Sequence, residues 1–361
     1  MNAKKAGLTR SLDEQPNPLR DRLREAIRTQ DAEPLRCEGL DPHARLQALL
    51  DASLGSPADL PAAKALALAH PTAVTHAILA GQHLVAGWVM HSPASSTKAN
   101  DPRPVPFEDH VDIAERSLVR AAEMDPAEPL VHVLAMTVSR THGHRPEVAR
   151  AHFDRAQAAL PWSVPAVRSA VQAFAPKWGG SEEALVALAE ELIASAPAGS
   201  PALSGVPNVV IELWIDGMLS RDKRANPLDD GPRTTPFERP ELRSLIERAA
   251  ARSIDAPEWP GDSDATAFAL NLFAFTAFMM NDRVRATALF DRLDGVYTEW
   301  PWRHLGKDSR AVYERSRIIA RGEPLSPEAG LSRWRGIATA LAPIAALVGF
   351  ALLVAWLLSH R

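Results

Sequence analysis

One cysteine, Cys37, stands alone in 361 residues, so the chain can form no internal disulfide and no cysteine-based zinc cluster. Near an early helix it reads as a small, half-buried residue rather than a reactive thiol. A basic excess is also missing. Lys and Arg number 40 against 44 Asp and Glu, for a net charge of -4, whereas nucleic-acid binders usually carry a basic stripe. No nucleic-acid partner is expected. The first ten residues carry Lys4 and Lys5 but no apolar stretch behind them, which predicts no secretory signal and a bulk that stays in the cytoplasm. Alternating apolar and polar runs with hairpin turns are absent too, so strands are not expected.

What is present is helix. The chain is 46% hydrophobic and 23% charged, which suits a globular protein of one large or two ordinary domains. Apolar residues recur at helical spacing at Ile113, Leu118, Ala121 and Met124, and again at Leu130, Leu134 and Val138. Val148, Phe153, Ala156 and Leu160 continue the pattern, and prolines punctuate it. The apolar run Ala265–Met280 is 16 residues long, too short to cross a bilayer comfortably, and predicts a helix buried in the core.

Repetition points to stacking. Pro126, Pro161 and Pro197 each follow an alanine-rich helix end and are spaced 35 and 36 residues apart. On this spacing the stretch resembles tetratricopeptide repeats, whose period is about 34 residues; the full consensus is not present. A longer duplication overlays the short one. Trp88, Ala99-Asn100, Pro106-Phe107-Glu108 and Arg120-Ala-Ala match Trp214, Ala225-Asn226, Pro236-Phe237-Glu238 and Arg248-Ala-Ala. Phe153-Asp-Arg155 with Pro161-Trp162 matches Phe290-Asp-Arg292 with Pro301-Trp302. The offset rises from 126 to 140 along the chain, apart from a step back from 130 to 128 at Arg120-Ala-Ala, as small insertions would make it. Two related halves are therefore expected, about 73–162 and 203–302, with Trp88 and Trp214 in equivalent buried positions. Between them lies Lys177-Trp-Gly-Gly-Ser181 followed by Glu182 and Glu183. With the helix pairs, this segment resembles a bacterial domain of unknown function built on tetratricopeptide-like helices. That resemblance covers about residues 60–300, implies the fold, and brings no known activity.

Ile337–Leu358 is 22 residues without a charge. As a helix it would measure about 33 Å, against a hydrocarbon core of about 30 Å. Trp334 and Trp356 stand near its ends, with Arg333 and Arg335 before it and little charge after it. A single-pass transmembrane helix is expected, with the bulk of the chain on the cytoplasmic side of the inner membrane. Ala338, Ala342 and Ala346 share one face, a spacing that permits weak self-association of the tail. The expected organisation is an N-terminal segment over 1–34, partly disordered or one short helix. A helical-repeat domain over 35–320, a linker over 321–335 and the transmembrane helix over 336–358 follow it. The fold class is all-α, a tetratricopeptide-like solenoid plus the tail helix.

Chemistry is sparse. A Gly-Gly turn before a helix can cradle an anion, but Glu182 and Glu183 in the first turn repel one and suit the helix dipole. His142, His144, His152 and His110, beside Asp109 and Asp112, lack metal-ligand spacing. No metal site, cofactor or catalytic residue is assigned. Glu212 and Asp216 are four apart, so both carboxylates share one face of an apolar helix, and they are weak polar-site candidates. The two proline-rich interruptions, Ser92–Pro106 and Arg221–Pro236, are candidate interaction loops, through Asn100, Arg103 and Phe107 in one and Asn226, Arg233 and Phe237 in the other. Insertions of this kind gather on one face of a solenoid; equally, the phenylalanines can be staples that anchor the loops. The expected function is a membrane-anchored scaffold that binds a protein partner. The alternatives are an enzyme acting near the membrane, or a small-ligand sensor using a pocket between the halves.

Overall fold

The computed structural model describes residues 9–91, 107–141, 145–222 and 235–323. The expected transmembrane span lies outside them, and no described helix is long and apolar enough to cross a membrane. The described chain is all-α. Its helices are α1 (Pro18–Thr29), α2 (Pro42–Ser53), α3 (Leu60–Ala69), α4 (Ala73–His91), α5 (Phe107–Met124), α6 (Pro129–Thr141), α7 (Pro146–Ala159) and α8 (Val164–Ala173). They continue as α9 (Glu182–Ser195), α10 (Gly205–Asp222), α11 (Pro240–Arg252), α12 (Asp264–Met279), α13 (Arg283–Leu293), α14 (Glu299–Trp302) and α15 (Ser309–Arg321).

Proline and short polar side chains set the boundaries. Asn17 accepts from the Arg20 amide at 3.0 Å just before Pro18, and Asp41 caps α2 before Pro42 in the same way. Proline is tolerated there because the first-turn amides have no helical acceptor. Gly322, at φ +72°, ends α15 in the left-handed conformation that favours glycine.

The helices form two layers. α2, α4, α6, α8, α10 and α12 stack successively, each on the next. The odd-numbered helices lie over the seams: α5 packs on α4 and α6, α7 on α6 and α8, and α13 on α12. α2 also reaches α6 and α8, so the stacked layer curls back on its own start. Arginines bridge neighbouring odd helices, with Arg145 on Glu115 at 2.8 Å, Arg150 on Glu191 at 2.6 Å and Arg248 on Glu190 at 2.5 Å. Half-exposed pairs contribute at most about 1 kcal/mol each, so apolar burial carries the packing.

The sequence run Ala265–Met280 becomes α12, with Phe273 and Phe275 fully buried. One expectation needs correction. Strands do occur: β1 (Arg10–Ser11) pairs in parallel with β2 (Val296–Tyr297). Two residues are too short for alternation to be visible, and the pairing joins segments nearly 300 positions apart in sequence. Within the N-terminal segment, α1 packs into the core. Leu23 and Ile27 of α1 are fully buried, and α1 packs on α2 and α3. Arg10 pairs with Asp264 at 2.6 Å, and Asp13 accepts from the Glu299 amide at 2.5 Å. The N-terminal strand thus clasps the last third of the described chain.

The two tryptophan–phenylalanine pairs recur. Trp88 near the end of α4 meets Phe107 at the start of α5, with ring centres 5.2 Å apart. Trp214 of α10 meets Phe237, just before α11, at 5.9 Å. Both tryptophans are half-buried rather than buried. Phe107 is half-buried and Phe237 fully so. The later pair diverges further: Trp162 is half-buried, whereas Trp302 is enclosed by Phe275, Phe290 and Tyr313.

Candidate functional site

The Lys177-Trp-Gly-Gly-Ser181 segment turns the chain from α8 into α9. A 3-10 turn over Pro176–Trp178 is followed by Gly179 at φ +82°. At Gly180 a Cβ would collide with the Phe174 carbonyl, so glycine is required by close approach there. Ser181 then accepts from the Ala184 amide at 3.1 Å and caps α9. Glu182 and Glu183 follow in the first turn, where the helix dipole favours negative charge.

This turn places Trp178 against the last turns of α4 and α6, and Lys177 against the middle of α10. Glu212, at the middle of α10, is fully buried. Its Oε2 lies 2.6 Å from the Lys177 ammonium, and its Oε1 accepts from the Gln172 amide of α8. The Oε2 contact is an ion pair that is not aligned as a hydrogen bond. Arg140, at the end of α6, carries its guanidinium 5.7 Å from the Trp178 ring centre. Burial pulls the Arg140 pKa down to about 10, while the Glu212 charge pulls it up. Trp88 packs edge-on against Trp178 at 6.0 Å. One buried carboxylate therefore faces two cations from different elements, and it ties α6, α8 and α10 to the turn between α8 and α9. Its charge is tolerable in the interior because it is paired.

Beside this cluster, Trp300 donates to Asn208 at 3.0 Å and packs on His304 at 4.7 Å. Burial, with Arg303 and Lys177 nearby, lowers the His304 pKa to about 4, so the ring is neutral at pH 7. What the arrangement does chemically is fix charge. A carboxylate held by lysine and glutamine is poorly placed as a general base, which needs a free lone pair aimed at a substrate.

Of the residues singled out in the sequence, Glu212 is in this cluster. Asp216, one turn on, is half-buried and makes no ion pair or hydrogen bond with a described residue. The two carboxylates share a helix but not a site. Phe107 and Phe237 act as anchors against Trp88 and Trp214, and full burial makes the Phe237 ring unavailable to a partner. Asn100, Arg103, Asn226 and Arg233 lie outside the described residues, as do His142 and His144.

Of the histidines singled out in the sequence, His110 and His152 each pair with another histidine. His110 of α5 meets His83 of α4, with Nδ1 atoms 2.9 Å apart, and His152 of α7 meets His132 of α6 at 3.3 Å. Burial lowers all four pKa values, those of His83 and His152 to about 4. Among the described residues no three histidine, cysteine or acidic side chains converge on a metal position. Cys37 is nearly buried, and burial pushes its thiol pKa up, as suits an inert packing residue.

Sequence reasoning missed Lys177, Gln172 and Arg140 as partners of Glu212, and His83 and His132 as partners of the named histidines. No short-range spacing links them; only a correct stacking order could have. No protein-family model matches the chain, and no curated protein matches it either.

Proposed function

We propose that this chain is a tetratricopeptide-like helical-repeat scaffold of two related halves, held at the cytoplasmic membrane by Ile337–Leu358, and that it binds a protein partner on one rim of its stacked layer. The observation that carries this reading is the convergence of the ends of α4 and α6 on Trp178, through Trp88 and Arg140, beside Lys177, whose partner Glu212 is held by Gln172 at the end of α8. In the sequence, the two proline-rich candidate interaction loops follow α4 and α10, two helices of this stack. Tryptophan and arginine at one edge are the residue types that dominate binding energy at protein interfaces. The repeated Trp–Phe pairs support the duplication. The uncharged 22-residue tail supports the anchor.

The test is site-specific photo-crosslinking of the full chain in native membranes. A photoreactive side chain at Val89, which is 49% exposed at the end of α4, should give discrete adducts. The same group at the exposed His43, at the opposite end of the layer, should give none. Equal labelling at both positions would reject the rim. A chain ending at Glu323 that still sediments with membranes after an alkaline wash would reject the tail as anchor.

A further inference from the structure

A pocket of about 400 Å³ opens in the first half between α5, α6 and α7. It falls within the range of roughly 300–1,000 Å³ typical of small-molecule sites. It is not the pocket between the halves that the sequence left open as an alternative. The floor is α6, through Val131, Ala135 and Val138, and the walls are Leu118 and Val119 of α5 and Val148 of α7. The Glu115–Arg145 ion pair at 2.8 Å closes one end. Ten residues along α7 from Arg145, Arg155 lines the other end and makes no ion pair or hydrogen bond with a described residue. His152 also lines it, engaged by His132 and neutral at pH 7. Val119 stands 56% exposed over the opening.

The second half provides an internal reference, given the duplication proposed above. Arg292, the counterpart of Arg155 in Phe-Asp-Arg, is fully engaged. It donates twice to Asp262, at 3.0 and 2.8 Å, and once to the Ile254 carbonyl at 3.0 Å. The counterpart of Val119 is Glu247, and that of His152 is Leu289. The first half has thus kept the arginine, pairs it with no carboxylate among the described residues, and presents an apolar surface beside it.

We propose that this pocket binds a small amphipathic monocarboxylate, with its apolar body over Val119, Val138 and Val148 and its carboxylate on Arg155. The ligand takes the place that Asp262 fills in the other half, where a guanidinium and a carboxylate meet in the paired geometry both groups favour. Glu123 lines the same pocket, exposed and without a described partner, and opposes a second negative charge, which limits the ligand to one. The site lies on the odd-helix layer and is independent of the proposed rim.

The test is calorimetric titration of the full chain in phosphatidylcholine nanodiscs with 4-phenylbutyrate, after subtracting empty nanodiscs. Butyrate serves as the head alone and 4-phenylbutanol as the body alone. The parent should saturate with 4-phenylbutyrate and bind both fragments more weakly. Arg155→Gln should weaken 4-phenylbutyrate about 10-fold or more, the scale of a lost hydrogen bond to a charged group, and leave 4-phenylbutanol unchanged. Val119→Glu, which installs the second half's residue, should abolish binding of both. Arg120→Gln, an exposed α5 arginine outside the pocket, should change nothing. Absence of saturable heat in the parent, equal binding of butyrate and 4-phenylbutyrate, or an Arg155→Gln affinity matching the parent would each overturn the proposal.

Discussion

Replacing Glu212 with glutamine tests the junction of α8, α10 and the Lys177 turn most directly. The substitution keeps the volume and leaves an oxygen to accept from Gln172, so it removes charge and little else. Lys177, whose side chain is only 19% exposed, and Arg140 would then face each other across a neutral group. Removing one member of a buried ion pair typically costs about 3–5 kcal/mol, because the remaining charge is left uncompensated. For a domain of this size each kcal/mol lowers the melting temperature by about 2 °C or somewhat more, so the loss should be roughly 6–10 °C. The assay is thermal unfolding of the full chain in mild detergent, followed by circular dichroism at 222 nm. Asp216→Asn is the control, since Asp216 has no described partner, and its effect should stay within about 0.5 kcal/mol. Adding Lys177→Met to Glu212→Gln should recover part of the loss, because it removes the stranded cation. A Glu212→Gln protein that melts with the parent, or no lower than the Asp216→Asn control, would refute the structural role given to this charge.

Stability should fall on acidification through the buried histidines. His83, His152 and His304 have folded-state pKa values lowered from 6.5 to about 4, so between those values the unfolded chain binds more protons. Stability is then full above about pH 6.5 and is lost as pH falls toward 4. At pH 5 the loss should be roughly 2 kcal/mol for His83, less for the half-buried His152 and His304. Melting temperatures measured from pH 7.5 to 4.5 check this, and a flat profile would count against the pairs. Gly180→Ala should cost about 1–3 kcal/mol, since its methyl group meets the Phe174 carbonyl; chemical denaturation of the full chain reads this out. Leu23→Ala should cost about 2–5 kcal/mol because Leu23 is fully buried, whereas Arg10→Ala, which breaks a half-exposed pair, should cost less than about 1 kcal/mol. A Leu23→Ala effect as small as that of Arg10→Ala would show that α1 is peripheral.

The helices and their ends were legible in the sequence because local physics sets them. Pro18, Pro42 and Pro146 start helices, Ser181 caps α9, and the apolar run at Ala265–Met280 can only be covered as a buried helix. These are decisions of the chain within four residues of itself. The repeated Trp–Phe and Phe-Asp-Arg segments were legible for the same reason, as copies of local patterns. Which side chains meet was decided by stacking. Glu212 finds Gln172 and Lys177 only because α10 lies on α8 and the following turn. His110 finds His83 rather than His152 because α5 folds back on α4. Arg155 and Arg292 stand in matching tripeptides, yet one is satisfied by Asp262 and the other is not. The two-residue β1 is invisible until β2, nearly 300 residues away, supplies its hydrogen-bond partners. A helical period is written in adjacent residues, but the partner of a charge depends on the register between helices far apart in the chain, which emerges only when their apolar faces pack.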